Sequence, residues 1–214
     1  MSDSLPSGAA SLEVGRPQRF NASAIVTVHA YGALLAIPLL VAVLVISSVK
    51  MSLGFLLAVP FAVIAATLFL LPFGRGNSYI VRQVRRTQPA AGRASNDFIV
   101  QLTCVPRLRS GLRAVLEDAD DVGTLSLGGD ALVFRGDSVR LAIPFSQISR
   151  VHRQNSGLRG LFIYGARLAL DVEGLPNVVS LQFAERSSWL LPLSRQTTRK
   201  LYNQLAAKVS PSRG

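Results

Sequence analysis

Between positions 21 and 74 the chain carries a single charged residue, Lys50, which divides an apolar stretch into runs of 29 and 24 residues. A helix rises ~1.5 Å per residue, so ~20 residues cover a ~30 Å hydrocarbon core. Each run is long enough to span, and the short turn between them allows only a hairpin. The expectation is therefore a two-helix transmembrane hairpin at about 22–49 and 52–73. A cleaved signal peptide would need an apolar region of about 7 to 15 residues beside the N-terminus. This run starts twenty residues in and is far longer, so retention is expected.

Orientation follows from the flanking charge. Arg75, Arg82, Arg85, Arg86 and Arg93 follow the second run, Arg16 and Arg19 precede the first, and the turn holds only Lys50. The positive-inside rule then puts both termini in the cytoplasm of an integral membrane protein. Pro38 and Pro60 are expected to kink the helices. His29 is the one ionisable group inside the runs and has no acidic companion there, which leaves little from which to build an ion path.

The net charge of +11 is concentrated outside the runs. Arg75, Arg82, Arg85 and Arg86 are the expected contacts with anionic lipid in a basic juxtamembrane linker over 75–95, where Tyr79, Ile80, Val81 and Val84 form an apolar stripe suited to an interfacial helix. No recognition motif accompanies the charge, so nucleic acid is not an expected partner. The single cysteine, Cys104, excludes an internal disulfide and falls on the apolar side of its strand pattern. Residues 1–20 are small, polar and Pro/Gly-containing, the composition of a disordered arm.

From about residue 96 the pattern alternates with a period of two. Phe98, Val100, Leu102 and Cys104 form one face of a strand; Leu125 and Leu127, Leu132 and Phe134, Val139, Leu141 and Ile143 continue it, and Leu168, Leu170, Val172, Val179, Leu181 and Phe183 follow. One buried and one wet face are implied. Gly128-Gly129-Asp130, Gly136-Asp137-Ser138 and Gly174-Leu175-Pro176-Asn177 supply the turns. Seven strands fit this count. A helix is expected from near Ser194 to about Lys208, with Leu201, Leu205 and Val209 on one stripe and Trp189 packing beside it.

The stretch from Gly123 to Leu127, then Leu132-Val133-Phe134, then Ala142-Ile143-Pro144-Phe145-Ser146-Gln147-Ile148-Ser149-Arg150-Val151, resembles the pleckstrin-homology superfamily, in particular GRAM-like and bacterial PH-like domains. The resemblance covers about 110 residues. It implies a seven-stranded bent β-barrel over 96–209, capped by a C-terminal helix and followed by a tail at 210–214, that binds lipid or protein and does no catalysis. The full expectation is a membrane α plus soluble β chain, a membrane-anchored scaffold. An alternative is an accessory subunit of a membrane enzyme or transporter whose hairpin makes the essential contact.

Lipid-binding members of that superfamily carry basic residues around the first inter-strand loop, and the resemblance points to Arg107, Arg109 and Arg113 as a head-group loop. Here the match departs from the pattern: no Lys precedes on the first strand, and Glu117, Asp118, Asp120 and Asp121 close the same loop and can pair with the arginines. A second candidate surface, for a protein partner, is the segment containing Leu158, Arg159 and Phe162. The acidic run around Asp120 lacks the spacing of a calcium loop. Gly136-Asp137-Ser138 reads as a hairpin turn, because an activated serine needs a base and an orienting acid, and His152 is the only histidine beyond the apolar runs. No cofactor, metal, catalytic residue or small-molecule substrate is implied. The expected partners are the bilayer with anionic lipid and a protein.

Overall fold

The structure is a computed structural model, and it describes residues 9–17, 19–20, 76–88, 96–108, 119–155 and 166–210. Eight strands form one antiparallel sheet: β1 Ser11–Val14, β2 Asp97–Val105, β3 Asp121–Leu127, β4 Ala131–Gly136, β5 Val139–Pro144, β6 Ile148–Asn155, β7 Ala166–Val172 and β8 Ser180–Glu185, in the order β1-β5-β4-β3-β2-β8-β7-β6. Among the described residues two helices accompany it: α1, described over residues 76–87, and α2 Leu191–Val209.

Strand β2 is the hinge of the architecture, pairing with β3 on one side and β8 on the other and so joining two meanders. Its alternation places Phe98, Val100, Leu102 and Cys104 in a main core with Leu125, Leu132, Phe134, Leu141, Ile143, Leu168, Leu170, Leu181 and Phe183. The Phe134 and Phe183 rings lie 6.0 Å apart in a tilted pair. Helix α2 closes this core with Leu201, Leu205 and Val209, packing over β6, β7, β8 and the 3-10 turn Phe145–Gln147. The turn after β7 uses left-handed backbone at Gly174 (φ 83°) and Asn177 (φ 61°), residue types that tolerate it.

Several sequence expectations are corrected. The sheet has eight strands, because Ser11–Val14 in the arm expected to be disordered adds a strand to the edge of β5. Four backbone donors fasten it: Ala10 N–H to Gln147 Oε1 (2.9 Å), Gly15 N–H to Ser138 O (2.6 Å), and the Arg19 and Phe20 N–H groups to Asp137 Oδ2 (2.8 Å each). The edge of β5 is thereby paired, and the short β1 becomes the terminal strand on that side. Nor is the outer face of β2 wet, since Ile99, Gln101 and Thr103 are buried as well. Val179 is exposed and lies before β8, its place in the core taken by Val178. Helix α2 begins three residues earlier than Ser194, with Leu190 as its N-cap.

The transmembrane hairpin expected at about 22–49 and 52–73 lies outside the described residues, as do His29, Pro38 and Pro60. Among the described residues no helix is long and apolar enough to cross a membrane. The described part of α1 carries Arg82, Arg85 and Arg86, and α2 carries Arg195, Arg199, Lys200 and Lys208, so each has one apolar stripe that faces the sheet rather than lipid all round. The fold class and the integral-membrane localisation are corrected accordingly: what is described is mainly an eight-stranded antiparallel sheet with two helices. The cytoplasmic placement of both termini, derived from the hairpin, falls with it.

The core assignment makes a stability prediction. Phe134 is fully buried whereas Val133, on the other face, is half-buried. In denaturant melts of the whole protein Phe134→Ala should cost ~3–5 kcal/mol and Val133→Ala less than ~1.5 kcal/mol. Equal losses would mean that the strand faces are assigned wrongly.

Candidate binding surface

Helix α1 owes its orientation to two apolar side chains one turn apart. Ile80 and Val84 are buried against Ile99 of β2, Val122 of β3 and Phe20 of the N-terminal segment, forming a second core on the outer face of the sheet. At 100° per residue, Arg82, Arg85 and Arg86 then point away, and all three are exposed. The apolar stripe expected to lie against lipid is therefore spent inside the protein.

The described part of α1 is tied down at both ends. In its first described turn Asn77 Nδ2 donates to Ser188 O (2.7 Å) and the Trp189 indole N–H donates to Ser78 Oγ (3.1 Å). Just past its end Gln88 Nε2 donates to Arg135 O (2.8 Å) and Gln88 Oε1 accepts from Thr124 Oγ1. The segment it meets is shaped by Glu185, whose Oε1 accepts from Ser187 N–H (2.6 Å), Ser188 N–H (2.7 Å) and both serine hydroxyls. This buried carboxylate curls the chain after β8 so that Ser187 faces α1.

The result is an open groove of about 540 Å³ lined by Ser78, Val81, Arg82, Arg85, Arg86 and Ser187. Among the described residues no acidic side chain lines it. Like charges at i, i+3 and i, i+4 oppose helix formation by a few tenths of a kcal/mol each. A bound anion would offset that repulsion, and the planar guanidinium forks are suited to carboxylate or phosphate oxygens. Three of the four arginines expected to act together are thus brought together; Arg75 lies outside the described residues. Ser78 and Ser187 carried no sequence signal, since Ser187 joins the groove from 109 positions beyond Ser78.

Of the loop arginines, Arg107 is described and lies elsewhere. It is half-buried and follows the end of β2, whereas Ser187 follows β8, whose last residue pairs with Val100 near the start of β2. Arg107 and Ser187 thus sit towards opposite ends of that strand. Arg109, Arg113, Glu117 and Asp118, and the partner segment with Leu158, Arg159 and Phe162, lie outside the described residues. Asp120 and Asp121 are not a solvated acidic rim: both are buried. Asp120 Oδ2 accepts from Cys104 N–H (2.7 Å), and Asp121 accepts from Val122 N–H (2.9 Å), Ser138 N–H (2.7 Å) and Val139 N–H (2.6 Å). Its carboxylate occupies the space a Cβ at Gly136 would fill, so glycine at 136 is a packing requirement. The described residues contain no cluster of three or more His, Cys, Asp or Glu that could hold a metal ion.

Cys104 is a buried free thiol. Burial pushes it from the ordinary value of 9.0 up to about 12, with Asp120 and Asp121 adding to the rise and Arg107 opposing it. A raised folded-state value means that the protonated thiol contributes stability fully below about pH 9, and that this contribution is lost as pH climbs towards about 12. Comparing urea melts of the parent and Cys104→Ala across that window should give a steeper decline for the parent; parallel declines would refute the burial effect. No family model matches the chain and no curated protein matches it, so the functional reading rests on the groove itself.

Proposed function

We propose that this chain is a non-catalytic binding and scaffolding module that presents the α1 groove to an anionic partner, a protein or a lipid surface. The observation that carries the proposal is the convergence of Arg82, Arg85 and Arg86 with the hydroxyls of Ser78 and Ser187 in one open groove whose described lining holds no acidic side chain. The two meanders joined through β2, with α2 packed over one end of their common core, support the PH/GRAM-like reading drawn from the sequence. Placement of the basic groove on an added helix, remote from Arg107, favours α1 over the inter-strand loop as the contact.

Retention of the whole protein on immobilised polyglutamate tests this. Two variants remove equal charge: Arg82→Gln/Arg85→Gln/Arg86→Gln in the groove, and Arg195→Gln/Arg199→Gln/Lys200→Gln on the exposed side of α2. At about 1 kcal/mol per surface contact, the groove variant should bind on the order of tenfold to hundredfold more weakly than the parent at low salt. The α2 variant should stay near the parent. Equal loss in both would show only a general charge effect and overturn the proposal.

A further inference from the structure

Six large hydrophobic side chains are exposed among the described residues, and three fall within five positions: Trp189 (49 %), Leu190 (37 %) and Leu193 (46 %). They form the entry to α2 and the cap residue before it. The Trp189 indole, held by its hydrogen bond to Ser78 Oγ, stands at the rim of the arginine groove that Ser78 lines. Apolar bulk and positive charge are therefore side by side on one surface. The first turn of α2 carries no acidic residue and its cap makes no side-chain hydrogen bond, so the positive end of a 19-residue helix adds to the same field.

We propose that this composite surface docks onto an anionic lipid bilayer, with Arg82, Arg85 and Arg86 on head-group phosphates and Trp189, Leu190 and Leu193 in the boundary with the acyl chains. The inference rests on the groove reading above and names its partner. A bilayer surface is a plane that offers phosphate oxygens and hydrocarbon within ~5–10 Å of each other, matching an open groove with an apolar rim. Tryptophan is the side chain best suited to that boundary, its ring being apolar and its N–H able to stay hydrogen-bonded. An acidic peptide would satisfy the arginines alone and leave the three apolar side chains in water.

Trp189 is the only tryptophan, which makes its emission a reporter confined to this surface. The whole protein is mixed with phosphatidylcholine vesicles, with or without phosphatidylglycerol, made in parallel with brominated acyl chains. The expected result is a blue shift and bromine quenching of Trp189 in the anionic vesicles, lost at high salt, in pure phosphatidylcholine and in the Arg82→Gln/Arg85→Gln/Arg86→Gln variant. Leu190→Ser/Leu193→Ser, which changes exposed positions only, should weaken this response about tenfold while leaving retention on polyglutamate unchanged. If the parent is retained on polyglutamate through the three arginines but Trp189 is neither shifted nor quenched by anionic vesicles, the lipid inference is overturned and the groove reading stands, with an acidic protein as its partner. If neither polyglutamate nor vesicles respond to the arginines, both fail.

Discussion

The burial of Ile80 and Val84 against Ile99, Val122 and Phe20 fixes the rotation of α1, and everything proposed for the surface depends on that rotation. Each buried aliphatic side chain contributes about 1.5–3 kcal/mol, whereas three like charges on the opposite face cost a few tenths per pair. Packing decides the orientation, and the arginines accept the exposed side that remains. A helix turned by half a turn would bury the guanidinium groups against Ile99 and Val122, a cost no described partner there offsets. Polar ties at both ends, through Asn77 and Gln88, then set its position along the sheet.

Beneath α1 the sheet is held by carboxylates used as backbone acceptors. Asp121 gathers donors from its own strand and from the β4–β5 turn, Asp120 takes one from β2, and Asp137 fastens the N-terminal segment that brings Phe20 under α1. Buried charge of this kind is tolerable because N–H groups replace water at the accepting oxygens. Glu185 does the same beside the groove, shaping the Ser187–Trp189 segment. These acids lie within the sheet and its turns, and among the described residues none lines the exposed side of α1.

Period-two alternation made the inner faces of β2, β3, β4, β5 and β7 legible, and the i, i+4 spacing of Leu201, Leu205 and Val209 did so for α2. Both are local signals. Strand β1 was not legible, because four residues with two exposed ones show no alternation and the pairing depends on β5, far along the chain. The stripe Ile80 and Val84 was visible as a stripe, but sequence spacing cannot say whether protein or lipid covers it, and the hydrophobic partner turned out to be the outer face of β2 and β3. Trp189 was expected to pack beside α2; it is half exposed and its indole N–H is bonded to Ser78 of α1, a partner that nothing local announces. Asp120 and Asp121 looked like solvent-facing charge in a loop, since nothing local announces the distant N–H groups they accept. The apolar stretch from 21 to 74, the strongest signal in the sequence, lies outside the described residues.

The rotational phase of α1 is most directly measured by placing single cysteines at each position from 79 to 87 in the whole protein and timing their reaction with a maleimide. The native Cys104 is buried and protonated, so it adds no background. Fast labelling at 82, 85 and 86, with strong protection at 80 and 84, is the predicted pattern, repeating with the helical period. Uniform labelling along the segment, or protection at 82 and 86 with exposure at 80 and 84, would contradict it and remove the basis for the groove.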